Sequence, residues 1–161
     1  IVLIYGMLTL GLAMKSSGAS SMMAEALSTG ALAYAPKDLR PFLLLAALYL
    51  TTAVLTEILS NNATIVIMAP ISLELASRIN LAAEDARAFL IATCIAASAS
   101  FTTPIGYQTN TYVYSVGGYR FSDFVKIGLP LNLLYFVSSV IMIACYWRYP
   151  PFEGGIGSLF Q

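Results

Sequence analysis

Charge in this chain is scarce and unevenly placed. Residues 1–14, 41–73, 88–119 and 127–147 together contain one charged side chain, Glu57. Apolar blocks of that length each approach the roughly 20 residues needed to cross a bilayer as a helix. Soluble domains are about a quarter charged and no more than half apolar, whereas this sequence is 10% charged and 58% apolar. The expected fold class is an all-α membrane protein, a polytopic helical bundle.

Composition removes several functions. The sequence has no histidine, which excludes serine or cysteine chemistry with a histidine base and zinc sites built on imidazole. Cys94 and Cys145 lie inside apolar segments and read as small packing residues. A net charge of zero without a Lys/Arg cluster argues against a nucleic-acid partner and against a polybasic lipid anchor. No Asp lies in an apolar block to serve as acid or base, so an enzyme is not expected.

Residues 1–149 read as a transmembrane domain and 150–161 as a polar tail. The chain opens inside an apolar run, as expected of a fragment. The first span covers about 1–14 and closes at Lys15-Ser16-Ser17-Gly18. Residues 19–35 are small and serine-rich with Glu25 among them, and either span or lie in the interface. A hairpin is expected over 41–77, with Pro41 at the first helical position. Its first arm, 41–59, covers about 28 Å. The apolar part of its second arm, 63–73, covers about 16 Å, too short to cross and suited to a re-entrant element. Ser60-Asn61-Asn62 forms the tip. Residues 88–116 read as a helix broken near Pro104 and Gly106. An aqueous link through Asp123 to Lys126 leads to a last span at 127–147, ending in an interfacial belt at Tyr146 to Tyr149.

Irregular backbone at membrane depth costs several kcal/mol per unpaired group and persists only beside protein or a water-filled cavity. Secondary transporters use such breaks: half-helix N-termini face anions, while freed carbonyls and C-termini face cations. Thr56 and Ser60, one helical turn apart, would offer oxygens to a cation. Asn61, Asn62 and the N–H groups that follow would offer donors to an anion. At the second break, Thr102 and Thr103 precede Pro104, which frees a carbonyl upstream, and Gly106 lets backbone approach a ligand. Hard oxygen ligands suit Na⁺. Each residue also has a plainer role. Membrane Ser and Thr commonly bond their own preceding turn, and Ala96-Ala97-Ser98-Ala99-Ser100 suits close packing. Glu57 either brackets the tip through backbone N–H groups or takes part in coupling. Tyr107 and Gln108 either line a cavity or anchor the broken helix.

The run Thr56-Glu57-Ile58-Leu59-Ser60-Asn61-Asn62-Ala63-Thr64, followed by Thr102-Thr103-Pro104-Ile105-Gly106-Tyr107-Gln108-Thr109-Asn110, resembles the divalent anion:Na⁺ symporter family. These are the citrate-transporter-like permeases of solute carrier family 13, within the ion transporter superfamily. The resemblance covers nearly the whole chain. It implies the second of two inverted repeats, with a re-entrant hairpin carrying a Ser-Asn-Thr motif opposite a broken helix. Ser60 and Asn61 match the motif, and Asn62 stands where its threonine would be. It further implies a sodium site of Thr56, Ser60, Asn61 and the Thr102 carbonyl, and anion contacts from Asn61, Asn62, Thr103 and Pro104. Glu57, Thr64, Gly106 and Gln108 are second-rank candidates.

The resulting expectation is Na⁺-coupled symport of a divalent anion by alternating access, with Na⁺ as coupling ion and no other cofactor. Sulfate is favoured, because the 106–124 region looks most like a sub-group linked to sulfate, and di- or tricarboxylates fit the same chemistry. The alternatives are a channel-like or arsenite-type permease, and H⁺-coupled or exchange transport. The expected partners are the small anion, the lipid bilayer, the preceding repeat of the same protein and, at full length, a second copy in a homodimer. The expected location is a bacterial inner membrane.

Overall fold

The computed structural model describes residues 2–32, 36, 39–79 and 83–147. Among them lie seven helices and no strand: α1 Val2–Ser16, α2 Ala19–Leu32, α3 Arg40–Thr56, α4 Asn61–Arg78, α5 Ala83–Ala97, α6 Gln108–Gly117 and α7 Phe121–Tyr146. The all-helical fold class holds. The tail expected at 150–161, and the Arg148 and Tyr149 part of the interfacial belt, lie outside the described residues.

The core forms where α3, α4 and α5 meet. In α3 the buried residues Leu44, Leu45, Leu48, Tyr49, Thr52 and Thr56 recur at three- and four-residue spacing, which lines one helix face. α5 answers with Ala88, Ala92 and Ala96, all fully buried. Alanines four apart let backbones approach closely, which is how helices hold together where no water-driven force operates between them. Thr52 and Thr93 bond the carbonyls of Leu48 and Phe89 one turn back, the plain role open to membrane threonines. α2 packs on α3 and α4, α1 packs on α4, and α7 packs on α3 and α5.

Several boundaries differ from the sequence expectation. α4 runs through Glu74 to Arg78, one residue past the expected end of the hairpin at 77 and five past its apolar stretch. Glu74 and Arg78 face each other one turn apart at 3.8 Å, so polar residues continue the helix as an ion pair. Its 18 residues reach about 27 Å, well beyond the 16 Å of the apolar part alone. Residues 19–32 form a helix. α7 starts at Phe121, six residues before the expected span, so Asp123 to Lys126 are helical and not a link. Asp123 accepts from the Arg120 N–H at 2.9 Å and caps that end. At 26 residues α7 is long and apolar enough to cross a membrane; about 39 Å long, it would have to tilt.

Candidate functional site

Both expected breaks are present. α3 ends at Thr56, residues 57–60 turn, and Ser60 opens α4 as its N-cap, with extended backbone and a hydroxyl accepting from the Ala63 N–H. α5 ends at Ala97, residues 98–107 are irregular, and α6 starts at Gln108. The expectation that Thr56 and Ser60 sit one turn apart on a single helix is not met, because Ser60 belongs to the next one. Asn61 meets Thr56 instead.

The two breaks are bonded to each other. The Thr56 hydroxyl lies 2.6 Å from the Ala97 carbonyl oxygen and 2.9 Å from Asn61 Oδ1. Three oxygens from α3, α4 and the end of α5 thus meet around one hydroxyl hydrogen. That hydrogen can serve one acceptor; the second short contact needs either the Asn61 amide turned so that Nδ2 donates, or a cation. Ser100 Oγ donates to the Thr56 carbonyl at 3.3 Å, holding the α3 end against the second break. Carbonyl ends of α3 and α5 converge here, and both carry partial negative charge.

Glu57 supplies the rest of the lacing. Its Oε1 accepts from the Thr102 N–H at 2.9 Å and its Oε2 from the Thr103 N–H at 2.8 Å. Thr103 Oγ1 donates to the Glu57 carbonyl at 3.0 Å and accepts from the Gly106 N–H at 3.2 Å. Of the two roles open to Glu57, bracketing through backbone N–H groups is therefore built into the structure. Both Thr103 donors, N–H and hydroxyl, point at Glu57. Thr102 reaches Glu57 through its N–H and receives the Asn132 amide on its hydroxyl.

The remaining candidates are spread around this centre. Pro104 is buried, and its carbonyl accepts from Thr111 Oγ1 at 2.8 Å. Thr64 is fully buried in the first turn of α4, and its hydroxyl has no hydrogen-bond partner. Asn62 and Gln108 are exposed. Gly106 is buried where backbones crowd. A Cβ there would strike Ser100 Oγ and lie 3.2 Å from both Thr103 Oγ1 and the Thr56 carbonyl oxygen, so only glycine lets the second break close on the first.

Sequence reasoning missed three contributors. Asn132 of α7 donates through Nδ2 to Glu57 Oε1 at 2.9 Å and to Thr102 Oγ1 at 2.6 Å. Asn110 Nδ2 donates to the Ser100 and Thr103 carbonyls at 2.9 and 3.3 Å, tying α6 back to the break. Ser100, at the end of a run that suits close packing, donates to the Thr56 carbonyl. The available signal for Asn132 was a single amide inside an apolar helix, which marks a functional candidate. A cavity of about 440 Å³ opens beside this network, lined by Glu57, Thr102, Thr103, Asn132 and apolar residues of α3 and α7.

Residues 1–89 match the family model described as "Citrate transporter". The chain is 43% identical over 151 residues to an uncharacterized transporter of Synechocystis, an alignment covering 94% of this chain and 23% of that protein. It is 36% identical over 100 residues to sodium/sulfate cotransporter 1 of Chlamydomonas reinhardtii, covering 62% of the chain and 11% of the relative. Human solute carrier family 13 member 1 is 33% identical over 111 residues, covering 69% and 18%. The chain thus spans less than a quarter of the length of each of these relatives. With a family model matching more than half of it and a transporter 43% identical over 94% of its length, the chain belongs to the citrate transporter family of integral membrane proteins.

Proposed function

We propose that the chain is part of a Na⁺-coupled symporter of a divalent anion, sulfate in the first place, working by alternating access in a bacterial inner membrane. The observation that carries this reading is the convergence of the Asn61 side-chain amide and the Ala97 carbonyl oxygen on Thr56 Oγ1, each within hydrogen-bond distance of it. Hard, uncharged oxygens at two converging helix C-termini suit a monovalent cation. Among the described residues, no cluster of three or more His, Cys, Asp or Glu is placed to hold a metal ion. Thr64, whose buried hydroxyl has no partner, is a further oxygen one turn into α4.

The anion would lie on the opposite side of the tip, at the N-terminus of α4. There the N–H groups of Asn61 and Asn62 precede the first intrahelical bonds, and the Asn62 side chain is exposed. Asn61 joins both halves of the mechanism, its side chain on the cation and its backbone on the anion. A cation bound first would fix the tip and offset the charge of the anion that follows. The names of a sodium/sulfate cotransporter among the relatives and of citrate in the family model support this choice of substrate class.

The test is uptake of labelled sulfate and labelled citrate by the full-length protein in proteoliposomes, with Na⁺ or choline outside. Saturable sulfate uptake that requires Na⁺ is expected, and Thr56→Ala should raise the Na⁺ concentration for half-maximal uptake about tenfold. Uptake that ignores Na⁺ would sink sodium coupling. Flux that stays linear with sulfate concentration would favour a channel-like pathway.

A further inference from the structure

We infer that Asn132 of α7 is a positioning residue for the cation site, acting through Glu57, an inference that rests on the sodium-coupled reading above. Among the described residues, Asn132 is the one side chain of α7 that hydrogen-bonds to either break, and it touches both: Glu57 on the hairpin tip and Thr102 in the broken helix. Its two Nδ2 hydrogens are used by those two acceptors. Its Oδ1 is buried and has no partner. An orphaned buried acceptor is a standing cost, which an apolar residue at this position would avoid.

The orientation is fixed by its neighbours. Turning the amide would set Oδ1 against the Glu57 carboxylate oxygen, so the orphan oxygen follows from facing the donor to Glu57. The donor in turn completes the set on Glu57, whose two oxygens otherwise receive only the Thr102 and Thr103 N–H groups. Glu57 follows directly on Thr56, the residue that brings the three oxygens together. A Glu57 side chain free to leave the second break would release the Thr56 end of α3 from Ala97. Asn132 therefore sets how well the oxygens stay gathered and touches neither ion.

Two measurements on the full-length protein test this. In Na⁺-dependent sulfate uptake, Asn132→Leu keeps the side-chain size and removes the donor. The Na⁺ concentration for half-maximal uptake should rise about tenfold, while the maximal rate per folded molecule changes less than threefold. Asn132→Gln retains the amide on a longer arm, and the adjoining cavity of about 440 Å³ has room for it, so it should recover most of the affinity. Independently of transport, hydrogen exchange at the Thr102 and Thr103 amides should quicken in Asn132→Leu and recover in Asn132→Gln, with α5 unchanged. Unaltered exchange at those amides overturns the inference. So does a loss of maximal rate with no shift in Na⁺ dependence, the mark of a merely structural role. Should Asn132→Leu fail to accumulate, Asn132→Ser, which can donate to only one of the two acceptors, takes its place with the same readouts. Wild-type uptake indifferent to Na⁺ would instead fail the transport reading, and amide exchange would still decide the role of Asn132.

Discussion

Glu57 shows how much one side chain can decide. Its carboxylate takes two backbone N–H groups and one amide, three donors for two oxygens. Glu57→Gln has one acceptor oxygen in place of two, and its new NH₂ group must face a backbone N–H. One of Thr102 and Thr103 would lose its partner in a partly buried site, at a cost of about 1–3 kcal/mol. The expected result is a lower melting temperature of the full-length protein in detergent and a drop of at least tenfold in Na⁺-dependent uptake. A variant that melts and transports like wild type would show that the bracket is dispensable. The sequence made Glu57 visible, as one charge among long apolar blocks, and left its two roles undecided because a hydrogen bond across 45 residues has no local signature. Thr56 and Asn61 were legible as polar oxygens at a helix interruption. The pairing of Asn61 with Thr56 in place of Ser60 was not, since it depends on where the α3 helix stops, and helix ends are the least legible feature of a pattern. Asn132 is hard to single out from sequence, because a lone amide in an apolar span equally suits ordinary interhelical bonding.

At the level of elements, the breaks were readable and the helix ends were not. Pro104 and Gly106 amid threonines announce an interruption whatever surrounds them, and 98–107 is irregular as expected. Glu74 and Arg78 continue α4 past its apolar stretch to within a residue of the expected hairpin end, whereas the early start of α7, at the Asp123 cap, overrides hydropathy. α7 approaches the second break through Gly128, which is buried. A Cβ on Gly128 would overlap the Phe101 carbonyl and lie 2.6 Å from the Thr102 Cα. Those are backbone atoms and cannot swing aside, so Gly128→Ala should push α7 away from the break and carry Asn132 off Glu57. Overpacking of this kind typically costs about 1–3 kcal/mol; thermal unfolding should show it, together with weakened Na⁺ dependence of uptake. The base of the hairpin offers the contrast. Arg78 donates to Ser21 O and Oγ at 3.1 and 2.8 Å and lies 3.7 Å from Glu25, but Arg78 and Glu25 are exposed, and exposed ion pairs contribute little. Arg78→Ala should lower the melting temperature only slightly and leave the Na⁺ concentration for half-maximal uptake where it was.

At the scale of the whole molecule, the long-range polar contacts among the described residues gather around helix ends, not along faces. The faces of α3, α4 and α5 are closed by packing, whereas the α3 and α5 C-termini and the α4 N-terminus meet where Asn61 can serve both. α6 buries no residue of its own, and Tyr112 and Val116 on it are largely exposed, in keeping with a chain that covers under a quarter of its relatives' length. If one residue contributes to both ion sites, the sites must be coupled in free energy, and that coupling must be reciprocal. On the proposed mechanism, a cation that gathers Thr56, Asn61 and Ala97 would order the tip whose N–H groups would receive the anion. Sulfate should therefore raise the melting temperature of the full-length protein in NaCl and have little effect in choline chloride at equal ionic strength. Sulfate should likewise lower the Na⁺ concentration needed for half of the stabilisation by the same factor that Na⁺ improves sulfate binding. Typical couplings of about 1–3 kcal/mol make that factor 5- to 150-fold. Asn61→Ala should abolish the interdependence, while Asn62→Ala, on the anion side only, should weaken sulfate binding and leave the Na⁺ effect on stability intact. Equal sulfate stabilisation in the two salts would mean that the two ions bind without reference to each other, and Asn61 would then not be the link between them.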